Sequence, residues 1–251
     1  MNITQSFYDN LASRYDKLFL DWTATSREQG ELLHKLFEQN GFDNTAHVLD
    51  CACGIGTQAI GLAAMGYDVT ASDISEGELA EARTRTENAG LSVRYERADF
   101  CALDETFAEQ FDIVIAMDNA LPHMLTHEDL AKAIASIAGR IRDGGIFVGS
   151  IRDYDALLET KPPYSPPYIH KSDKGARISF QTWDWTGDNY KLVQYIVDDA
   201  EQLEVSKFEC EYRATRREEM TKLFEANGCS SVQWLFPEES GFYQPIIIVR
   251  K

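Results

Sequence analysis

From about residue 46 to residue 150, short apolar runs alternate with segments of helical spacing, and this alternation constrains the fold more than any other feature of the chain. AHVLDCA is followed by TQAIGLAAMG, which closes at Gly66, and DVTASD by SEGELAEARTRTENAG, which closes at Gly90. Ser75 stands as N-cap of that second helix, with Glu78 three residues on in a capping-box spacing. VRYERAD, FDIVIAMD and GGIFVGS supply further strands, with HEDLAKAIASIAGRI as the helix before the last. Such a pattern predicts an α/β, doubly wound, mostly parallel sheet covered by helices on both faces. Sheets of this kind take ligands beyond the carboxyl ends of their strands, where strand order reverses.

On either side of this core the rhythm changes. Before residue 46, FYDNLASRYDKLF and REQGELLHKLFEQNG read as two helices. After Ser150, the span 151–213 reads as a loop, including proline-rich KPPYSPPY, and then a small antiparallel layer. The loop is either a linker or the wall of a pocket. ARISFQTWDWTGDNYKLVQYIVDD turns at Thr-Gly-Asp-Asn as a hairpin, and LEVSKFECEYRA forms a third strand. Trp183 and Trp185 alternate on one face of the hairpin and are expected to pack between the layers. TRREEMTKLFEANG, CSSVQWLF and QPIIIVR complete residues 214–251 as a helix and two strands, the last antiparallel. All 251 residues are expected to form a single domain.

Composition narrows the partners. A formal charge of −17, spread along the chain, repels phosphate backbones and anionic lipid, so neither nucleic acid nor membrane is expected as a partner. The amino terminus lacks the basic and apolar regions of a secretory signal, and FDIVIAM and PIIIV are too short to span a bilayer. Five cysteines, an odd number, suit a reducing cytoplasm better than a disulfide framework. Oligomeric state is not readable.

The nine residues LDCACGIGT, 49–57, pose the functional question. Cys51 and Cys53 are too close together for a zinc knuckle or a redox pair and read as small apolar side chains closing a buried strand, so no metal site is expected. Gly54-Ile-Gly-Thr-Gln-Ala59 fits G-x-G-x-x-G/A, with Asp73 at the spacing of a ribose-binding acid. Asp50, just before the loop, would oppose a pyrophosphate and suit a cationic ligand. S-adenosylmethionine carries a sulfonium, an ammonium and a ribose but no phosphate. Asp50, the glycines, Asp73 for the ribose hydroxyls, Asp99 for the adenine amine and Phe100 against its ring would suit it.

VLDCACGIGT, VTASDIS, RADF and FDIVIAMDNALPH resemble the core of class I S-adenosylmethionine-dependent methyltransferases. DNALPH, SIRDYD, HKSD, VSKFECEY and YQPIIIVRK extend the resemblance to glycine and glycine/sarcosine N-methyltransferases over almost the whole length. The resemblance implies a Rossmann-like methyltransferase sheet and S-adenosyl-L-methionine as cofactor, with S-adenosyl-L-homocysteine as product. By position it implies cofactor contacts from Ala52, Gly54, Asp73, Ile74, Asp99 and Phe100, with backbone from Met117 near the methionine moiety. The segment 1–45 would close over the cofactor with Tyr15, Trp22 and Arg27, the arginine lying on its carboxylate. On the substrate side it implies Asn119 and Arg152, with His123 and Tyr195 nearby. Asp118 replaces a glycine of the animal enzymes, His170 replaces a tyrosine, and the amino-terminal arm is shorter. These departures bear on the acceptor, not on the methyl donor.

The implied reaction is methyl transfer to the amino group of a small carboxylated molecule such as glycine or sarcosine. Arg152 would clamp the carboxylate, Asn119 would orient the amine or a carboxylate oxygen, and His123 would either relay a proton or serve as a turn residue. The competing readings are O- or N-methylation of another small molecule, a nicotinamide-dependent reductase, and a cofactor-binding protein without catalysis. A surface salt bridge from Arg152 to Asp153 or Asp155 is the alternative to the clamp.

Overall fold

A computed structural model describes residues 3–172, 175–199 and 202–251, so Asp173 of the HKSD stretch lies outside the described residues. The chain opens with α1 (Ile3–Leu11), a 3-10 turn over Ala12–Leu18, and α2 (Trp22–Gln39). The alternating region follows: β1 (His47–Asp50), α3 (Thr57–Ala64), β2 (Asp68–Asp73), α4 (Glu76–Asn88), β3 (Arg94–Arg97), β4 (Phe111–Ala116), α5 (His127–Arg140) and β5 (Ile141–Ser150). Then come α6 (Tyr154–Thr160), β6 (Tyr168–Ser172), β7 (Gly175–Thr186), β8 (Asn189–Asp198) and β9 (Glu204–Arg213). The chain ends with α7 (Arg217–Ala226), β10 (Ser231–Leu235), α8 (Pro237–Ser240) and β11 (Ile246–Arg250).

The main sheet has the order β10-β11-β5-β4-β1-β2-β3. β1 to β5 run parallel, and β11 enters antiparallel to β5 with β10 antiparallel to it. The order reverses between β1 and β4, and there the crevice opens. β6-β7-β8-β9 form the separate antiparallel sheet. Its first strand, β6, and helix α6 both fall in the span read as loop. α6 is only seven residues long, started by Asp153, which accepts from the N–H of Ala156, and stopped by Lys161 at φ 41°. About two turns carry too little periodicity to be seen in a sequence.

Consecutive apolar residues in the central strands face opposite sides, as the period of two requires. Leu49, Val114, Phe147 and Ile247 pack with Leu130 and Ile134 of α5 and Phe224 of α7. The same cluster runs on through Trp183, Tyr190 and Leu192, so the two sheets share it, and Trp183 and Trp185 do pack between the layers. Val48, Ile113, Ile115 and Ile248 pack on the other side with Leu33 and Phe37 of α2 and Leu62 of α3.

One contact fixes where the site's helices lie. α2 crosses α3 glycine to glycine: a Cβ on Gly61 would come within 2.2 Å of the Ser26 carbonyl oxygen, and one on Gly30 within 2.6 Å of the Gly61 backbone. Ser26 Oγ donates to the Thr57 carbonyl at 2.7 Å in the same place. Gly61→Ala is therefore expected to push the helices apart and lower stability by about 1–3 kcal/mol. A urea midpoint unchanged from the parent would show that the crossing has slack.

Candidate active site

The loop after β1 is stitched to both neighbouring strands. The N–H of Cys51 donates to Ile115 O of β4, and that of Cys53 to Ser72 O of β2, each at 3.0 Å. To make the turn, Gly54 and Gly56 adopt φ of 52° and 87°, the left-handed region that glycine enters freely. Asp73, at the end of β2, accepts from Gly54 N–H through Oδ2 and from Ser75 N–H through Oδ1, both at 2.9 Å. Cys51 and Cys53 are buried beneath the loop, where burial pushes their thiols well up, and Cys51 Sγ donates to Ile115 O. Among the described residues, no three His, Cys, Asp or Glu side chains gather as a metal ion would need.

A cavity of about 580 Å³ opens above this loop. Ala52, Gly54, Asp73, Ile74, Asp99 and Phe100 line it, and so do Met117, Tyr15 and His123. Asp99 is exposed at the rim, one oxygen accepting from Cys101 N–H at 2.8 Å. Acids predominate in the lining, with Asp73, Glu78, Asp99, Asp118, Asp129 and Glu211 against one lysine, Lys132.

A second cavity of about 850 Å³ adjoins it, sharing Tyr8, Tyr15 and Asp118 as a common wall. Asn119 and Arg152 line its polar end with Gln181 and Gln194. Asp118 and Asn119 both have positive φ, 54° and 70°, which Asp and Asn tolerate better than other side chains. Asp118 accepts from Gln58 Nε2 at 2.7 Å and from the Tyr243 hydroxyl at 2.8 Å. Asn119 Oδ1 accepts from the Arg152 N–H at 3.1 Å, and its Nδ2 is buried without a partner among the described residues.

The Arg152 guanidinium donates to the Tyr190 hydroxyl at 2.8 Å and to Gln181 Oε1 at 3.0 Å. The Trp183 and Tyr212 rings lie 5.1 and 5.5 Å from it. Every one of these partners is neutral. The carboxylates beside it in sequence are taken elsewhere: Asp153 pairs with Arg217, and Asp155 with Arg216 and Arg217. The surface salt bridge is thus absent, and Arg152 has no anionic partner among the described residues. The proline-rich segment supplies part of the cavity wall through Ser165 and Pro166, running beside β7 with Trp183 N–H donating to Pro163 O.

Several expected site residues stand elsewhere. Arg27 is on the exposed face of α2, because Ser26, Gln29 and Gly30 turn the other face to the core. Tyr195 stacks on Phe180 with centroids 5.0 Å apart. Its neighbour Gln194 faces the second cavity, so strand alternation turns Tyr195 to the opposite face of the small sheet. Trp22 does not line the first cavity but braces it: its indole N–H donates to Thr57 Oγ1 at 2.9 Å, and Arg85 lies 4.5 Å from its ring centroid.

Asp50 is 1% exposed beneath the loop and outside the cavity lining, with Oδ1 near the Ala52 N–H at 3.3 Å and Oδ2 unpartnered. Burial pushes its carboxyl up to about 8, so its charge cannot be what repels a pyrophosphate at neutral pH. The same burial raises the carboxyls of Asp73, Glu78 and Asp118, so the acids buried in the cavity do not restore that argument. His123 is held neutral, pushed down to about 3 by burial. Its Nδ1 is 3.2 Å from the Glu211 carbonyl, which can only accept, so Nε2 receives the Tyr8 hydroxyl at 2.8 Å. Both ring nitrogens are occupied. Tyr8, Tyr190, Tyr212 and Gln181 were not anticipated in the site, and Asp118, a departure bearing on the acceptor, stands between the two cavities. The Asp118-Asn119 pair, two residues suited to positive φ after an apolar strand, was the signal available.

Residues 48–145 match the model of a methyltransferase domain. The chain is 32% identical over 155 residues to the glycine/sarcosine N-methyltransferase of Parasynechococcus marenigrum, covering 62% of this chain and 54% of that protein. It is 31% identical over 185 residues to the glycine N-methyltransferase of Rattus norvegicus, covering 68% of this chain and 62% of that one. The chain thus spans between about half and two thirds of the length of these relatives. Among solved structures, an S-adenosylmethionine-dependent methyltransferase from Clostridium acetobutylicum superposes with a TM-score of 0.74 at 20% identity, covering 97% of each chain. Residues 48–145 are thus similar to a methyltransferase domain, and the fold around them is shared with solved S-adenosylmethionine-dependent methyltransferases. Within that class the sequence resembles the glycine and glycine/sarcosine N-methyltransferases.

The buried carboxyl of Asp50 has a consequence for stability. In the unfolded chain it gives up its proton near the ordinary value of about 4, whereas in the folded protein it keeps it to about 8. The folded state therefore binds more protons across that window, and stability falls as pH rises through it. Asp50→Asn should flatten this fall, as read by urea midpoints at pH 5, 6.5 and 8. Parallel pH profiles for parent and variant would show that Asp50 is ionised in the folded protein.

Proposed function

We propose that this chain transfers a methyl group from S-adenosylmethionine to the amino group of a small carboxylated acceptor, with glycine and sarcosine the simplest members of the class. The observation that carries the reading is Arg152, a guanidinium lining a cavity with only neutral hydrogen-bond partners and aromatic faces around it. A desolvated cation without a counter-ion is costly, and an acceptor carboxylate would relieve that cost. The similarity to glycine/sarcosine N-methyltransferases supports the same acceptor class.

The first cavity fits the cofactor. Its acids supply hydrogen-bond partners suited to a ribose and an adenine amine. Asp73 would accept from the ribose, Asp99 from the adenine amine, and Phe100 would pack on the ring, with Ala52, Gly54 and Met117 offering backbone. When bound, the cofactor supplies an activated methyl on a sulfonium. Arg152 would hold the acceptor carboxylate on its remaining N–H groups, and Asn119 Nδ2, unpartnered, would hold a second oxygen. Tyr15 and Asp118, common to both cavities, bound the passage through which the amine faces the cofactor. Fixing the lone pair in line supplies most of the acceleration, and no strong base is required. His123 holds Tyr8 in place and does not titrate near neutrality.

One observation favours a broader acceptor than glycine. At about 850 Å³ the second cavity has room for a far larger molecule, and Leu11, Leu18, Phe19 and Leu157 give it an apolar side. A carboxylated amine with an apolar body would use both ends.

A screen of carboxylated amines, uncharged amines and phenols for S-adenosylhomocysteine production tests the reading. Arg152→Ala should cut kcat/KM by about 10–1000-fold, or about 1.4–4 kcal/mol, while the cofactor dissociation constant holds. Arg152→Lys should already be impaired, since a point charge cannot reproduce a two-pronged contact. If uncharged amines or phenols are methylated as readily as carboxylated ones, the clamp is wrong and methylation of another class of small molecule takes its place.

A further inference from the structure

The first cavity contains an acid for which neither the fold nor the roles assigned above account. Glu78 stands in the first turn of α4, 1% exposed, and its Oε1 is buried without a hydrogen-bond partner among the described residues. In a capping box its side chain would return to the N–H of Ser75. That N–H donates instead to Asp73 Oδ1, so only the Ser75 half of the box forms, with Ser75 Oγ accepting from Glu78 N–H at 3.1 Å. Released from the cap, the Glu78 carboxyl joins the cavity lining beside the glycine loop. Its Oε2 is 2.7 Å from the point that a Cβ on Gly54 would occupy. Gly54 is also the residue whose N–H reaches Asp73 Oδ2. Two acids therefore converge on one glycine.

The groups facing Glu78 come from four elements: Asp73 from β2, Asp9 from α1, Tyr15 from the 3-10 turn and Cys53 from the loop. None is a cation. Burial, with Asp73 and Asp9 adding to it, pushes the Glu78 carboxyl well above its ordinary value. A protonated carboxyl both donates and accepts, as does an alcohol, whereas a carboxylate only accepts.

We propose that Glu78 is a second ribose-binding residue, whose carboxyl exchanges hydrogen bonds with one hydroxyl of a bound adenosine while Asp73 accepts from the other. The inference rests on the reading of this cavity as an adenosine site. It also accounts for a residue that the fold would be better without, because an unpartnered buried carboxyl destabilises the ligand-free protein.

The test is calorimetric titration of the whole chain with S-adenosylhomocysteine and its 2′-deoxy and 3′-deoxy analogues, alongside melting temperatures without ligand. Glu78→Met should melt higher than the parent yet bind S-adenosylhomocysteine about tenfold more weakly, the effect of one lost hydrogen bond. Glu78→Gln, which keeps a donor and an acceptor, should stay within about threefold of the parent. One deoxy analogue should bind the parent and Glu78→Met alike. Raising the pH far enough to ionise Glu78 should weaken binding to the parent and leave Glu78→Gln unaffected. Parent-like affinity in a folded Glu78→Met protein would overturn the proposal, as would Glu78→Gln binding no better than Glu78→Met. Absence of any binding to the parent would instead overturn the adenosine reading on which it rests.

Discussion

The loop between β1 and α3 is held from two sides at once, and the rest of the site is arranged around it. β1 has β2 on one side and β4 on the other, and the chain leaves it at the point where strand order reverses. Hydrogen bonds from Cys51 to β4 and from Cys53 to β2 pin the loop over the gap, and Asp73 pins its middle through Gly54. With its backbone so committed, the loop can turn only through left-handed residues, hence the two glycines. It also sets where α3 begins, and with it Thr57, on which the indole of Trp22 rests.

The sheet was legible because each central strand is a short apolar run bounded by glycine or acid, and each helix between them is long enough to show its period. Residues at strand ends inherited that legibility: Asp73, Asp99 and Met117 all reach the first cavity. Tyr195 was misplaced because matching a neighbour in sequence says nothing about the face of a strand, and one step along β8 reverses it. Arg27 was misplaced for the helical counterpart of that reason, since the face of α2 is decided by its glycine crossing with α3. Asp50 was read as a charge because residue type is visible in a sequence and burial is not. Glu78 was read only as a capping residue, and what frees its side chain is the hydrogen bond of Asp73 to Ser75, a contact between two elements.

The polar end of the second cavity shows how a cation can be held in readiness. One tyrosine hydroxyl, a glutamine and ring faces orient the guanidinium of Arg152 without neutralising it. Tyr190 is itself fixed by the hydroxyl of Tyr154, 2.9 Å away, and by stacking on Tyr212. The arrangement is therefore rigid around its charge and open toward a ligand, the condition under which binding need not first break an ion pair.

The glycine crossing of α2 on α3 leaves no room for α2 to slide. The amino-terminal arm, α1 and the 3-10 turn, walls both cavities through Tyr8 and Tyr15 and is joined to α2 by a short connection whose Leu20 is 71% exposed. Outside its apolar side, that arm is moored by ion pairs: Arg14 with Glu204, Lys17 with Asp198, and Asp16 with Arg85. Their side chains are partly exposed, so dissolved ions weaken these moorings while leaving the packed crossing untouched. In this fold, ionic strength bears on the cavity wall rather than on the frame, and amide exchange would register it as faster opening of α1 with no change in α2.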